Sequence, residues 1–235
     1  VKVPNPEDPA AFTLALEMQK ELGADLCVGT DPDCDRVGIA VQNGKGDYTL
    51  LSGNETGVLL LDYICSRRRA SGTMPSDPVA VKTIVTTDLG ERIAAHYGVR
   101  MINVLTGFKF IGEQIGLLEA EGKEDSYIFG FEESYGYLTG SYVRDKDAVN
   151  AAFMICEMFA YYRSHGLSLL EKLQELYSIY GFCLNTLHSY EFPGSAGMEK
   201  MNSIMKSFHE GLDEIAGMKV ERVEDYSKGL NGLPA

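Results

Sequence analysis

Apolar side chains recur along the chain with two alternating periods, and this alternation predicts strands and helices that follow one another. Short apolar runs rich in β-branched residues and bounded by turn residues are typical of strands. Apolar residues three and four positions apart predict helices that bury one face. The predicted strands cover 24–28, 37–41, 48–51, 79–86, 99–104 and 127–131. The predicted helices cover 8–22, 52–64, 88–97, 108–121, 146–164 and 167–180.

The order of these elements predicts an α/β fold of the three-layer type, because strands alternate with helices. Residues 67–78 are basic at first and then rich in serine, glycine and proline, which predicts a surface loop. From Thr186 the pattern starts again with a strand, a glycine turn, a helix over 198–212 and a strand over 219–223. This second start predicts the opening of a further domain.

The densest polar cluster is GTDPDCDR at 29–36, which lies between two predicted strands. Asp31, Asp33 and Asp35 are spaced by two, and Arg36 follows directly. Carboxylates this close in sequence repel one another unless a cation neutralises them. Carboxylate oxygens are hard ligands, so the loop predicts a Mg²⁺ site of the kind used in phosphoryl transfer.

Three other interpretations compete with this metal site. A solvated turn is the plainest, because aspartate favours turns. A calcium loop of the D-x-D-x-D type needs glycine at its sixth position and glutamate at its twelfth. Arg36 and Gln42 stand at those positions, which excludes that loop. An aspartyl nucleophile stays open, because residues 33–37 fit the D-x-D-x-[T/V] pattern of haloacid-dehalogenase-type phosphatases.

A second polar cluster, GFEESYGY at 130–137, follows a predicted strand. Glu132, Glu133 and Ser134 then fall at the carboxyl end of that strand, where open α/β sheets bind ligands. Carboxylates accept hydrogen bonds from neighbouring sugar hydroxyls, and glycines let a ligand approach the backbone. The cluster fits a sugar-binding loop and a solvated acidic loop equally well.

A third cluster, TGFKF at 106–110, stands where a predicted strand meets a helix. Thr106 and the free N–H groups at the helix start predict an anion site with Lys109 beside it. A threonine cap with an exposed lysine is the simpler alternative. The charged run at 144–147 is typical of an ordinary helix start, because aspartate is favourable at a helix N-terminus whatever its function.

Composition narrows the partners of the 235-residue chain. Its net charge of −13 argues against nucleic acid, which requires a basic surface. The five cysteines are scattered without a CxxC pair, which suggests neither a zinc site nor a disulfide framework. Reduced thiols predict a cytoplasmic protein. No apolar run reaches transmembrane length, so no membrane association is expected.

The order of the clusters is more specific than any one of them. GTDPDCDR, TGFKF, GFEES and RDKDAV occur in that order, with PNPE at 4–7 and LSGN at 51–54. This series resembles the α-D-phosphohexomutase superfamily, most closely bacterial phosphoglucomutases, with phosphomannomutases as sister enzymes. The resemblance covers nearly all of the chain. It implies three-layer αβα domains with mixed sheets and an isomerase that works by phosphotransfer.

The resemblance also implies a reaction and a set of site residues. The full enzyme would interconvert glucose 1-phosphate and glucose 6-phosphate through a phosphoserine and glucose 1,6-bisphosphate. Its metal ligands for Mg²⁺ would be Asp31, Asp33 and Asp35, and a phosphoserine oxygen would complete the site. Its catalytic cations would be Arg36 and Lys146. Its substrate-binding residues would be Thr106, Gly107, Lys109, Glu132, Ser134 and Arg144.

The family has four domains, and the resemblance implies how this chain maps onto them. Residues 1–51 would be the C-terminal half of the second domain, 52–182 the third, and 183–235 the start of the fourth. The family's phosphoserine loop and Arg-Ser-Gly-Thr phosphate loop have no counterpart in the sequence, so we expect a part of a longer protein that is inactive alone. The exposed edges of such a part would favour a non-native dimer.

The identity of the sugar stays open at this point. The GFEES form favours glucose over mannose, and pentose or amino-sugar phosphates remain alternatives. Some family members carry a histidine in this loop, whereas residues 135–137 are Tyr-Gly-Tyr here, which leaves the general acid or base unassigned. A dehalogenase-type phosphatase and a non-catalytic sugar-phosphate-binding module are the other two functional alternatives.

Overall fold

The computed structural model describes residues 4–226 and residue 229. They divide into two compact units, one ending at Asn185 and the other beginning at Thr186. The first unit opens with a 3-10 turn (Pro9–Phe12), a helix and an antiparallel three-stranded sheet of order β1-β2-β3. These elements are α1 (Thr13–Leu22), β1 (Leu26–Thr30), β2 (Val37–Gln42) and β3 (Tyr48–Leu51).

The rest of the first unit is built on a mixed four-stranded sheet of order β5-β4-β6-β7. Its elements are α2 (Gly53–Ser71), β4 (Val79–Thr83), α3 (Leu89–Tyr97), β5 (Arg100–Val104), α4 (Phe108–Ala120), β6 (Tyr127–Glu132), β7 (Gly136–Leu138), α5 (Ala148–Ser164) and α6 (Leu169–Tyr180). Strand β4 runs parallel to β5 and β6, and β7 runs antiparallel to β6. Because β4 and β6 are parallel, their carboxyl ends lie at the same edge of the sheet.

Both faces of this sheet are covered by helices, which confirms the predicted three-layer arrangement. Alternate side chains of a strand point to opposite faces. Val79 and Val81 accordingly pack in a buried cluster with Ile111 and Ile115 of α4. Ala80 belongs to a separate buried cluster that contains residues of α2, α3, α5 and α6.

Helix α2 is longer than the sequence pattern predicts. Ser52 and Glu55 form a capping box at its start, in which Ser52 Oγ accepts from the Glu55 amide at 3.2 Å. The helix continues to Ser71, so the prediction of a surface loop over 67–78 is wrong for residues 67–71. Arginine is a good helix former, and its charge suits the C-terminal end of a helix, so Arg68 and Arg69 extend it.

The second unit contains one helix and a short hairpin among the residues described. These elements are α7 (Gly194–Glu210), β8 (Glu214–Ile215) and β9 (Met218–Lys219). The predicted helix is confirmed with its bounds shifted, but the strand predicted from Thr186 is wrong, because residues 181–193 have no regular structure. An apolar pattern makes a strand only where another strand pairs with it.

No helix in the part of the chain that the structure describes is long and apolar enough to span a membrane.

Candidate functional site

The acidic loop, residues 31–36, joins two antiparallel strands. Thr30 of β1 pairs with Val37 of β2, so the intervening residues must turn within a short span. Asp31 organises the turn, because its Oδ1 accepts from the backbone N–H groups of Asp35 at 3.1 Å and Arg36 at 3.0 Å. Cys34 has a φ of 60°, an unusual conformation for a residue with a side chain. The turn therefore curls the backbone around the Asp31 carboxylate.

The three aspartates of the acidic loop converge at one point. One carboxylate oxygen from each of Asp31, Asp33 and Asp35 lies within 4.8 Å of the others. Burial raises the pKa of Asp31, but hydrogen bonds from the Arg36 and Asp35 backbone outweigh it and hold the pKa below its usual value. Burial and the Asp31 carboxylate raise the pKa of Asp35, although Lys146 opposes them. The cluster can hold a metal ion, since all its donors are hard carboxylate oxygens.

Two cations flank the acidic loop. Arg36 Nε lies 4.0 Å from both Asp31 Oδ2 and Asp35 Oδ1, and its Nη1 lies 3.3 Å from Glu7 Oε1. Lys146 Nζ lies 2.8 Å from Asp35 Oδ2. Burial lowers the pKa of Lys146, but the neighbouring Asp35 and Asp145 carboxylates raise it above its usual value, so the side chain stays charged.

The glutamate loop, residues 132–135, connects β6 to β7 beside the acidic loop. The Val37 amide donates to the Tyr135 carbonyl at 3.1 Å, and Arg36 forms an isolated β-bridge with Gly136. The backbone at residues 36–37 is thus joined to the backbone at residues 135–136, where the glutamate loop ends and β7 begins. Strand β7, which makes this contact possible, is absent from the sequence prediction.

Glu132 is hydrogen-bonded to Ser134 and lies near Lys146. Burial raises the pKa of Glu132, while Ser134 and then Lys146 act to lower it. A Cβ built on Gly136 would lie 2.8 Å from Glu132 Oε1 and 2.8 Å from Lys146 Cδ. A side chain at position 136 would therefore require the lysine stem or the glutamate carboxylate to shift.

The TGFKF segment adjoins the same lysine through an aromatic ring. Lys146 Nζ lies 5.9 Å from the ring centroid of Phe108, the first residue of α4. Gly107 caps this helix with a φ of 119°, and no side chain caps it, so the predicted threonine cap at Thr106 is not formed. The exposed Lys109 lies 4.8 Å from the Phe110 ring.

Arg144 is directed elsewhere. Its guanidinium donates to the carbonyls of Ser141 and Val143 and pairs with Glu119, which lies near the C-terminal end of α4. The structure therefore brings together Asp31, Asp33, Asp35, Arg36, Glu132, Ser134 and Lys146, with Phe108 at their edge. Arg144 instead contacts Ser141, Val143 and Glu119.

Sequence reasoning missed the residues that support the glutamate loop. Thr83 and Thr86 at the end of β4 donate to the Glu133 carboxylate. The sequence signal for Thr86 is the polar run at 86–88, at the carboxyl end of the strand predicted over 79–86, which marks the edge where ligands bind. Thr83 lies within that predicted strand and has no such signal.

Two family models match the chain. The model of phosphoglucomutase/phosphomannomutase alpha/beta/alpha domain III matches residues 52–180, and the model of domain II matches residues 1–45. Phosphoglucomutases from Staphylococcus aureus strains such as USA300 and N315 are 38% identical over 227 residues. Those alignments cover 96% of this chain and 40% of the relatives, so the chain spans 40% of the length of the relatives it matches.

Solved structures agree on the fold. Parafusin (phosphoglucomutase) from Paramecium, in its open form, superposes with a TM-score of 0.59 at 17% identity, covering 87% of this chain and 35% of that one. A phosphoglucomutase/phosphomannomutase family protein from Burkholderia thailandensis gives 0.56 at 16% identity, covering 74% and 33%. Since one family model alone matches more than half of the residues, the chain belongs to the phosphoglucomutase/phosphomannomutase family.

Proposed function

We propose that this chain supplies the metal-binding and sugar-recognition parts of a phosphoglucomutase that interconverts glucose 1-phosphate and glucose 6-phosphate. The supporting observation is the backbone contact between the strand that follows the acidic loop and the glutamate loop, in which the Val37 amide donates to the Tyr135 carbonyl at 3.1 Å. A cluster of carboxylates suited to a metal thereby adjoins a glutamate and a serine suited to sugar hydroxyls.

The acidic loop fits Mg²⁺ by the chemistry of its donors. Asp31, Asp33 and Asp35 offer three carboxylate oxygens within 4.8 Å of one another, and Mg²⁺ accepts oxygen ligands while keeping positions for water or phosphate. The three aspartates would hold the ion, which when bound offsets the negative charge of a phosphoryl group. This assignment favours a mutase over the phosphatase alternative, because it gives Asp31 and Arg36 a role that the phosphatase scheme leaves unassigned.

The remaining residues divide the work on the substrate. Arg36 and Lys146 place positive charge where a transferring phosphoryl group carries negative charge. Glu132 accepts hydrogen bonds from sugar hydroxyls, and Ser134 both accepts and donates them. Thr106, Gly107 and Lys109, at the start of α4, would bind the phosphate at the far end of the sugar. Arg144 would join them only after leaving Glu119.

The proposal extends to domain organisation and to the intermediate. Residues 1–51, 52–182 and 183–235 would belong to the second, third and fourth domains of the longer family architecture. The bisphosphorylated intermediate would be glucose 1,6-bisphosphate. The phosphoserine would come from a part of that architecture that this sequence does not contain. We therefore expect the 235-residue chain to bind phosphosugar without turning it over.

We also propose a small phosphosugar as the partner and the cytoplasm as the location. All five cysteines are free in the structure, as expected of a protein kept in a reducing compartment. Glucose 6-phosphate is the preferred ligand, and mannose 6-phosphate is the close alternative within the family.

Calorimetric titration with glucose 6-phosphate in the presence of Mg²⁺ tests the proposal. The chain should bind, and Ser134→Ala should weaken binding about tenfold, the loss expected for a strong hydrogen bond. Ser126→Ala is the matched control, because Ser126 immediately precedes the N-terminal end of β6, and this variant should bind like the parent chain. No binding by the parent chain would contradict the sugar assignment. Mutase turnover by this chain alone would contradict the domain assignment.

A further inference from the structure

The glutamate loop is anchored by the carboxylate of Glu133, which contacts two threonines. Glu133 Oε2 accepts from Thr83 Oγ1 at 2.9 Å and from Thr86 Oγ1 at 3.0 Å. The Glu133 amide donates to Thr86 Oγ1 at 3.2 Å. Both threonines are buried, with 0% and 2% of their surface exposed. Hydrogen bonds to a charged group inside a protein are strong and costly to lose.

The threonine turn, residues 83–87, is itself fixed in place. The Thr86 amide donates to the Thr83 carbonyl at 3.1 Å. The Thr86 carbonyl accepts from Lys82 Nζ at 3.2 Å, and this lysine is 1% exposed. The Thr87 amide donates to Asn54 Oδ1 at 3.0 Å. The turn thus presents its two hydroxyls from a rigid position at the end of β4.

The start of α2 packs closely against the backbone of the glutamate loop. A Cβ built on Gly53 would lie 2.1 Å from the Glu133 carbonyl oxygen and 2.9 Å from the Tyr135 nitrogen. No side chain fits at position 53 while the glutamate loop keeps its course. The LSGN segment at 51–54 therefore contributes both Gly53 and Asn54 to one support.

The loop needs such a support because its backbone is strained. Tyr135 has a φ of 67°, a conformation that costs free energy for a bulky residue and persists only where the surroundings enforce it. Glu132 and Ser134 alternate with Glu133 and Tyr135 along the loop, so anchoring the second pair orients the first.

We propose that Thr83, Thr86 and Glu133 are positioning residues that hold Glu132 and Ser134 in the arrangement that binds sugar hydroxyls. The inference rests on the proposed function and deepens it. The anchor would strengthen sugar binding by preorganisation, because a loop already held in its binding conformation loses little further conformational freedom when the sugar binds.

Paired substitutions separate the hydroxyl groups from the shape of the threonines. Thr83→Val/Thr86→Val keeps the shape and removes both donors, whereas Thr83→Ser/Thr86→Ser keeps the donors and loses two methyl groups. Glucose 6-phosphate binding is measured by calorimetry, and circular dichroism checks that each variant is folded. Thr49→Val, in β3 of the other sheet, is the control.

The valine pair should weaken glucose 6-phosphate binding about tenfold, and the serine pair should bind within about twofold of the parent chain. Rescue by serine at equal foldedness identifies the hydroxyls as the cause. Equal binding by the valine pair and the parent chain would overturn the inference.

Hydrogen exchange provides a readout that is independent of sugar binding. The amides of residues 133–136 should exchange about tenfold faster in the valine pair than in the serine pair. If the parent chain fails to bind glucose 6-phosphate, the proposed function is wrong and this exchange decides the anchoring alone. Unchanged exchange in the valine pair would overturn the inference whatever the sugar result.

Discussion

The ammonium group of Lys146 lies 2.8 Å from Oδ2 of Asp35, so a lysine just before α5 neutralises part of the acidic loop. The stem of the same lysine covers Gly136 of β7. Lys146 therefore lies against both the acidic loop and the strand that follows the glutamate loop. A cation in this place competes with a metal ion for the charge of Asp35.

Lys146→Met should tighten Mg²⁺ binding about fivefold. The reason is that removing a partly exposed ion pair returns roughly 1 kcal/mol of attraction to the metal. Calorimetric titration with Mg²⁺ measures the effect. Lys123→Met is the matched control, because Lys123 makes an ion pair of the same 2.8 Å length with Glu121 on the surface. Weaker Mg²⁺ binding by Lys146→Met would mean that the lysine orients Asp35 and does not compete with the ion.

A largely buried ion pair between α2 and α6 should contribute to the stability of the first unit. Asp62 Oδ2 lies 3.1 Å from Lys172 Nζ, and Asp62 also accepts from the hydroxyls of Tyr97 and Tyr162 at 2.9 Å and 3.3 Å. Lys172→Met leaves a buried carboxylate without a cation, and should lower the free energy of unfolding by about 3 kcal/mol. Urea unfolding measures the loss.

A double variant that removes both charges tests whether the unpaired buried carboxylate causes the loss of stability. Asp62→Asn/Lys172→Met should be more stable than Lys172→Met alone, because no unpaired charge is left buried. Lys206→Met, which removes an exposed pair with Glu210 in α7, should change stability little. A double variant less stable than the single one would contradict the explanation by buried charge.

Two helical glycines should respond in opposite directions to alanine. A Cβ built on Gly57 of α2 would lie 2.4 Å from the Phe131 ring, so Gly57→Ala should cost about 1–3 kcal/mol by overpacking. Nothing lies within 4 Å of a Cβ built on Gly116 of α4, so Gly116→Ala should gain about 0.5–1 kcal/mol of helix stability. Thermal unfolding of both variants checks the pair. Equal effects would show that α2 does not pack on β6 as closely as the structure has it.

The titration of Glu132 should make the free energy of unfolding fall as the pH rises. Burial raises the pKa of Glu132 in the folded chain, so the folded state binds more protons than the unfolded state between the usual pKa and the raised one. The destabilisation therefore develops over that window and is complete above it. Urea unfolding of the parent chain and Glu132→Gln across pH should show the variant gaining relative stability through the window.

The sequence pattern predicts the acidic loop well because the information is local. An apolar strand precedes residues 31–36 and another follows, and the carboxylates stand within a few positions of one another. Strand β7 is missed because it has only three residues, too few to show a period.

The anchor of the glutamate loop is missed for a different reason. Glu133 and Thr83 are 50 residues apart, so only the parallel pairing of β4 and β6 brings them together. Arg144 likewise reaches Glu119 across 25 residues, and no local pattern distinguishes a lysine or arginine that faces the site from one that pairs elsewhere.

Mg²⁺ titration by calorimetry on the parent chain, Asp33→Asn and Asp47→Asn tests the central claim most directly. Asp33 is the exposed member of the carboxylate cluster, and Asp47 is an exposed aspartate beside the β2–β3 turn. We predict that the parent chain and Asp47→Asn bind Mg²⁺ and that Asp33→Asn does not. Equal binding by all three would remove the metal from the acidic loop and contradict the account.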